Sequence, residues 1–499
     1  MTFAEVAAEA NQVGNALLKL GVRMGDMVGI LCLDTPEWVT SYFGIVKIGA
    51  IAVCMNTLLK PRDYDYMLHD SRLRVLIVDE SLCSLITPIL AEQPFLEQII
   101  VVGRDEDEDE NEDEDEDEAA RPMLTGGRPY TQWICDEATT LTAAPTHRDD
   151  ICTLHYSSGT TGKPKGIPRA HKDHSLLAQL WGVNVLGLQE NDRTFAVSKL
   201  FFIYATGGNL LFAWYVGASI VLYSGSARSA PDILATIERF QPTIFYGVPT
   251  GYAAMLAVED FTQRYDLSSL RICVSAGEAL PAPIWHSWKK ATSLDILDGI
   301  GATEVGHIFL SNRPDDIRPG SSGKPFAGYE LKIIDHEGHE VSPGETGTLL
   351  VKGETTALFY LHQSEKSRQV FRGEWFYTGD QYRVDEDGYY WHAGRADDMM
   401  KVGGIWVSPV EVESALIDHP AVQECAVVAC PDRDNLIKPK AYVVLVNRTD
   451  ESAALIEELI NFSQTKIAAY KRPRWIQFVD ELPKTATGKI QRFKLRNRL

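Results

Sequence analysis

The run Tyr156-Ser157-Ser158-Gly159-Thr160-Thr161-Gly162-Lys163-Pro164-Lys165-Gly166 packs serine and threonine hydroxyls between three glycines and ends on two lysines. Glycine opens backbone conformations that a β-carbon would forbid. Successive N–H groups, hydroxyls and ammonium groups can then converge into a concave anion receptor suited to a polyphosphate. No Gly-Lys-Ser/Thr follows a Gly-x-x-x-x spacer, so this is not a Walker A loop. A solvated Ser/Thr/Gly turn is the competing reading. A second segment, Asp298-Gly299-Ile300-Gly301-Ala302-Thr303-Glu304, offers glycines for close approach to a planar ligand. It also offers a hydroxyl, and a carboxylate able to hold Mg2+ against phosphate oxygens. The third, Tyr377-Thr378-Gly379-Asp380, sets an acid after a glycine turn, where it can accept two hydroxyls of a ribose diol. Taken alone, that segment is better explained by a surface Asx-type turn. The fourth, Pro483-Lys484-Thr485-Ala486-Thr487-Gly488-Lys489-Ile490, presents a lysine near the chain end. On a loop that folds over a phosphate ester, that ammonium would neutralise developing charge; otherwise it is surface.

The elements that must position these segments follow from periodicity. Phe3, Val6, Ala7, Ala10, Val13, Ala16 and Leu17 recur at helical spacing and stop at Gly21. Residues 28–33 read as a buried strand, 36–48 as a helix, and 51–55 and 73–78 as further strands. Alternating strands and helices indicate α/β construction around a largely parallel sheet, resuming at Asp150 and running to about residue 310. The apolar run 151–154 ends in the glycine-rich loop, which therefore starts at a strand end. Residues 328–388 change texture, with short alternating runs between Gly, Pro and Asp turns, as in a small β-barrel or sandwich. The charged, Gly-rich stretch 394–404 marks a boundary. Beyond it, helix 409–418, strands 421–430 and 440–446, helix 451–469 and strand 474–479 predict a compact α+β unit.

At 499 residues the chain exceeds one ordinary core. Its net charge is −21, but thirteen acidic residues fall within 105–118, so most of the imbalance is local. That run cannot bury apolar surface and is expected to be a disordered acidic insert; it lacks the glycine turn of a calcium loop. An acidic balance excludes nucleic acid or an anionic membrane as main partner. The eight cysteines include no C-x-x-C pair and no metal-ligand spacing, as expected of reduced thiols in a cytoplasmic enzyme. No basic-then-apolar signal pattern opens the chain, and the apolar run 210–223 is too short to span a bilayer.

Taken together and in this order, the four segments and the Gly394-Arg395-Ala396-Asp397-Asp398 run resemble the adenylate-forming superfamily of acyl-CoA synthetases, carrier-adenylating domains and firefly-type luciferases. The resemblance covers essentially the whole chain. It implies an α/β fold: a large N-terminal AMP-binding domain (1–394) with a small β-barrel, then a small mobile α+β domain (395–499). It implies ATP, Mg2+ and CoA. Ser157, Ser158, Gly159, Thr160, Thr161, Gly162 and Lys165 would hold the β,γ-phosphates. Gly277, Glu278 and Ala279 with Asp298, Gly299 and Ile300 would flank the adenine. Thr303 would touch the α-phosphate, Glu304 the magnesium, and Asp380 with Arg395 the ribose. Asp397 would be the hinge, Lys489 would bridge carboxylate and α-phosphate, and Gly403 with Gly404 would line the pantetheine tunnel after rotation. Such members start with an additional strand and helix, whereas Met1 here falls directly in the first recognisable helix; a truncated start or a missing element is expected.

Within the superfamily the likeness is to benzoate-type aryl-CoA ligases, carried by Lys199 to Tyr204, Ser275 to Pro281 and Asp298 to Asn312. Amino-acid-activating relatives place an Asp where Ile203 stands; a buried α-ammonium would have no partner here. Phe202, Ile203, Tyr204, Gly301, Gly306, His307 and Ile308 would form a flat apolar slot for one ring. Gly306 either leaves room for a ring substituent, as in an amino- or hydroxybenzoate, or only relaxes the turn. His307 either donates to such a substituent or completes a wall. The reaction expected is formation of an acyl-AMP with release of pyrophosphate, then transfer to CoA. Loading of a carrier protein's phosphopantetheine, a non-catalytic or truncated paralogue, and a luciferase-like oxygenase are the competing readings.

Overall fold

The computed structural model describes all residues except 104–126, 158–163, 396–397, 403–404, 434–435, 486–489 and 497–499. Helix Phe3–Lys19 begins at Thr2, whose hydroxyl accepts the Glu5 amide while Glu5 accepts the Thr2 amide, a reciprocal cap. Its apolar face packs on helix Pro36–Lys47. The predicted apolar runs become the strands Met27–Leu31, Ile51–Cys54 and Val75–Asp79, with every residue of the middle one buried. Such unbroken apolar runs are what a parallel sheet covered on both faces requires.

Two seven-stranded sheets carry the N-terminal region. The first runs, in spatial order, Arg128–Pro129, Gln98–Val102, Val75–Asp79, Met27–Leu31, Ile51–Cys54, Ile151–Ser157 and Lys165–Ala170. It is parallel except for its last pair, an antiparallel hairpin. The second runs Lys324–Pro325, Ile308–Ser311, Ile296–Gly301, Ile272–Ser275, Ile244–Gly247, Arg193–Ala196 and Ser219–Val221. Its interior is parallel, and its first two pairings are antiparallel. Between Arg193–Ala196 and Ser219–Val221 the chain turns through Ile203–Ala205, a π-helical segment Thr206–Leu211 and Phe212–Tyr215. A second π-helical segment, Ala178–Val183, lies upstream. The apolar run 210–223 is thus divided between these short helical turns and strand Ser219–Val221, with Leu210, Phe212, Ala213, Ala218 and Val221 buried, and no helix among the described residues is long and apolar enough to cross a membrane.

The region expected to be a small barrel or sandwich forms a five-stranded antiparallel sheet of Tyr329–Ile334, Gly347–Gly353, Phe371–Arg372, Trp375–Val384 and Tyr390–Arg395. Among the described residues its outer strands do not pair with each other, so the sheet stays open. The long strand Trp375–Val384 takes Gly347–Gly353 on one edge and the two short partners on the other. Arg395 still belongs to this sheet, opposite Asp380. The smaller C-terminal domain follows: a hairpin of Met400–Val402 and Ile405–Val407, helices Pro409–Ile417 and Ala453–Lys466, and a three-stranded sheet. That sheet pairs Val422–Pro431 antiparallel with Ile437–Leu445, and the latter parallel with Trp475–Phe478. The acidic run 105–118 lies outside the described residues.

Candidate active site

The glycine-rich loop is the tip of the hairpin Ile151–Ser157/Lys165–Ala170, with Ser157 facing Lys165 across the ladder. Ser158, Gly159, Thr160, Thr161 and Gly162 lie outside the described residues. At the hairpin base the Ser157 hydroxyl is buried with no partner among the described residues, so its O–H is free to donate. Lys165 Nζ stands 3.5 Å from Glu304 Oε1 and 4.8 Å from the ring centre of Tyr360. The Tyr360 hydroxyl donates to the same Glu304 oxygen at 2.8 Å. Burial and the adjacent carboxylate push the Tyr360 phenol far above its ordinary range, so it stays a neutral donor. Nothing in the spacing of residues 355–361 singles Tyr360 out; its link to Glu304 spans 56 positions.

Thr303 and Glu304 are held from behind by a residue that the sequence reading missed. Arg169, fully buried, donates through Nη1 to the carbonyls of Thr303 at 3.5 Å and Glu304 at 3.1 Å. Its Nη2 donates to the carbonyl of Val305 at 3.2 Å and to that of Thr355, and pairs with Asp173 at 2.9 Å. The phosphate hairpin and the Thr303-Glu304 turn are therefore one rigid unit. Gly306 belongs to it. Its φ is +100°, and a β-carbon there would meet Arg169 Nη2 at 2.5 Å and Leu177 Cδ1 at 2.8 Å. The glycine serves the turn and the arginine behind it; the space a side chain would take there is filled by Arg169, so the roomier-slot alternative is corrected.

Asp298, Gly299, Ile300 and Gly301 lie on strand Ile296–Gly301, with Asp298 opposite Ser275 on the neighbouring strand. The chain beyond Ser275 reaches Gly277, Glu278 and Ala279, so both expected adenine-flanking segments meet at adjacent strand ends. Asp298 is buried, accepts the Leu280 amide at 3.4 Å, and keeps its Oδ1 without a partner among the described residues. Burial pushes its carboxyl up to about 8. A β-carbon on Gly301 would meet the His307 carbonyl at 2.8 Å, so the close approach its glycine allows is to the protein's own next strand. Asp380 and Arg395 meet directly at 2.9 Å, and Arg395 also donates to the Thr378 carbonyl at 3.0 Å. Burial works to raise the Asp380 carboxyl, but bonds from His392 and Arg395 outweigh it and hold the group below its ordinary value.

Of the residues expected to line a ring slot, His307 lies against Tyr204 in an aromatic cluster. This residue is buried, stacked on Tyr204 (centroids 5.6 Å apart, 25° between planes), edge-on to Phe212 at 4.6 Å and near Trp181 at 5.2 Å. His307 Nε2 lies 3.1 Å from the Tyr204 carbonyl. A carbonyl only accepts, so Nε2 carries the proton and Nδ1 is left with a lone pair. Burial lowers the imidazole to about 4, keeping it neutral. Its Nδ1, the Trp181 indole nitrogen and the Tyr246 hydroxyl are all buried without partners among the described residues. Of the two roles expected for His307, donor to a substituent or part of a wall, the donor one is not available from Nε2, which is engaged with the Tyr204 carbonyl, while Nδ1 is an acceptor. Ile308 is buried on the adjoining strand, and Phe202 and Ile203 are half-buried. His155, also unanticipated, fixes the same segment by donating from Nδ1 to the Phe201 carbonyl at 3.2 Å.

Lys489, Asp397, Gly403 and Gly404 lie outside the described residues. The residue after Lys489 does touch the N-terminal domain, the Ile490 amide donating to Glu278 Oε1 at 2.8 Å.

Residues 1–361 match the model of the AMP-binding enzyme family, and residues 411–489 that of the AMP-binding enzyme C-terminal domain. The chain is 45% identical to the benzoate–CoA ligase of Thauera aromatica, over 99% of this chain and 90% of that protein. An anthranilate CoA ligase solved with anthranoyl-AMP superposes with a TM-score of 0.93 at 63% identity, covering 100% of this chain and 92% of that one. A benzoate CoA ligase from Burkholderia xenovorans LB400 superposes with a TM-score of 0.89 at 40% identity, covering 99% and 94%. The glycine-rich hairpin, the Thr303-Glu304 turn and the Asp380–Arg395 pair therefore belong to a member of the AMP-binding enzyme family, an AMP-forming acid–thiol ligase that activates an aryl acid with ATP and transfers it to CoA.

Proposed function

We propose that the aryl acid is an ortho-aminobenzoate of the anthranilate type. The observation that carries this reading is the neutral, buried His307 with its unpartnered Nδ1 acceptor set among Tyr204, Phe212 and Trp181. An aryl amine has N–H donors to give to such an acceptor, whereas plain benzoate leaves it unpaired, which costs binding free energy. The 63% identity to an anthranilate CoA ligase supports the same choice. Phe202, Ile203, Tyr204, Gly301 and Ile308 form the rest of the slot, and Gly306 holds the turn that carries His307.

The remaining roles are those the family resemblance implies. A carboxylate is a poor acyl donor; as an acyl-AMP it has a good leaving group. Ser157 to Gly162 and Lys165 hold the departing pyrophosphate, Asp298 to Ile300 with Gly277 to Ala279 the adenine, and Asp380 with Arg395 the ribose. Thr303 contacts the α-phosphate. Glu304, a buried oxygen donor already flanked by the cation of Lys165, suits Mg2+. Mg2+, when bound, supplies charge neutralisation at the phosphate oxygens. Lys489 meets the charge that develops on the α-phosphate. Rotation about Asp397 then removes Lys489 and brings Gly403 and Gly404 to the path of the CoA thiol. Free CoA, not a carrier protein, is the acceptor, and the cytoplasm, where CoA and ATP are held, is the compartment.

The test is kcat/KM for pyrophosphate release with anthranilate, benzoate, and 2- and 4-hydroxybenzoate, with thioester formation on free CoA measured alongside. Anthranilate is expected to lead benzoate by about tenfold or more, as one hydrogen bond allows. His307→Phe, which keeps a ring but removes the acceptor, should bring the two acids close to parity. Benzoate matching anthranilate in the unaltered enzyme would overturn the assignment.

A further inference from the structure

Asp34 is remote in sequence from every motif, in the short loop between strand Met27–Leu31 and helix Pro36–Lys47. That strand is central in the first sheet, so the loop opens at its carboxyl end, where open α/β sheets build their ligand crevices. The side chain is buried. Its Oδ1 crosses to the second sheet's territory and accepts the Leu200 amide at 2.9 Å. Leu200 lies four residues beyond the end of strand Arg193–Ala196, at the start of the slot segment. From there the bonds nest tightly: the Phe202 amide donates to the Lys199 carbonyl at 2.9 Å, the Thr206 hydroxyl to the Leu200 carbonyl, and the Ala205 amide to the Phe202 carbonyl at 3.0 Å. A displacement of Leu200 is therefore a displacement of Phe202, Ile203 and Tyr204.

Lys199 is the charged neighbour whose field reaches Asp34. Its own ammonium is anchored by the carbonyls of Tyr223 and Gly225, at 2.5 and 2.6 Å, and by the Tyr223 ring at 4.5 Å. A buried carboxylate is costly to keep where an amide would accept the same N–H. What the carboxylate adds is a charge-assisted bond, stronger than a neutral one, at the first residue of the slot segment.

We propose that Asp34 is a positioning residue for the aryl acid, its carboxylate fixing the Leu200 amide and through it the slot walls Phe202–Tyr204. The proposal rests on the assignment of those walls to the slot. Burial raises the Asp34 carboxyl to about 7, so its charge, and the strength of that bond, change near neutrality.

The test compares Asp34→Asn and Asp34→Ala with the unaltered enzyme, reading KM for the aryl acid and KM for ATP from pH 6 to 8.5. Asp34→Ala should raise the aryl-acid KM about tenfold, the worth of one hydrogen bond, and leave the ATP KM within about twofold. Asp34→Asn keeps an acceptor but does not titrate. Its aryl-acid KM should lack the rise below about pH 7 that the unaltered enzyme shows, leaving only the pH dependence of the site's other groups, such as Asp298. Equal loss on both substrates in Asp34→Ala, or an unchanged pH dependence in Asp34→Asn, would overturn the proposal. If Asp34→Ala fails to fold, the Asp34→Asn comparison decides alone. Ile203→Ala, measured in parallel, separates the two layers: an unmoved aryl-acid KM there removes the slot assignment itself. A moved one, with Asp34→Ala unmoved, removes only the role of Asp34.

Discussion

Tyr360 sits where three requirements of the site meet. Its hydroxyl restrains Glu304, its ring lies under the Lys165 ammonium, and its own amide is held by the Ser367 hydroxyl at 2.9 Å. A hydrogen bond to a charged group contributes about 1.5–3 kcal/mol, which corresponds to roughly a tenfold to hundredfold change in rate if it acts in the transition state. Tyr360→Phe keeps the ring and deletes only the hydroxyl. It should lower kcat for pyrophosphate release by at least about tenfold, with the aryl-acid KM unmoved and the melting temperature nearly unchanged. Full activity in that variant would mean that Glu304 is oriented without it.

The hairpin Ile151–Ser157/Lys165–Ala170 does more than present a loop, because its second strand carries Arg169 into the carbonyls of Thr303 to Val305. Removing one member of a buried ion pair costs about 3–5 kcal/mol, since the other charge is left without compensation. Arg169→Met should therefore shift the urea midpoint well down, and adding Asp173→Asn should restore part of the loss. A double variant no more stable than the single one would show that the carbonyl contacts, not the pair with Asp173, dominate. This element also marks what the sequence could disclose. Buried parallel strands announce themselves as apolar runs, so 28–33 and 51–55 were readable as strands to within about two residues, a margin expected at element ends. Segment 298–304 stood out because its glycines, hydroxyl and carboxylate are closely spaced in sequence, whereas 277–279 was named only through the family resemblance. Arg169, Tyr360, His155 and Asp34 were not readable. Each acts across a long sequence separation, on a backbone group or on a residue with no fixed spacing to it. For the same reason the Gly306 choice could not be made from its neighbours: what fills the space beside it is an arginine 137 positions earlier. The open sheet in place of a barrel has another cause. Alternation predicts antiparallel strands but carries no information on whether the first and last ones pair.

At the scale of the whole molecule, two α/β sheets, an antiparallel sheet and a small C-terminal domain converge on one cleft, and their contributions differ in kind. The first sheet carries the glycine-rich hairpin and, in the loop after its central strand, Asp34; the second carries Asp298 on strand Ile296–Gly301; the third pairs Asp380 with Arg395, and Tyr360 lies in the loop after its strand Gly347–Gly353. The C-terminal domain reaches this assembly at the Ile490 amide, bonded to Glu278 beside the adenine segment. An amide held by a partner in another domain exchanges its proton only when the two separate. The Ile490 N–H is therefore a native isotope clock for domain alternation, needing no label or engineered probe. With a non-hydrolysable acyl-AMP mimic bound, a peptide containing Ile490 should take up deuterium more slowly than with the mimic and CoA together. Identical uptake in both would mean that this contact survives the whole cycle, and that the half-reactions are separated by some other motion.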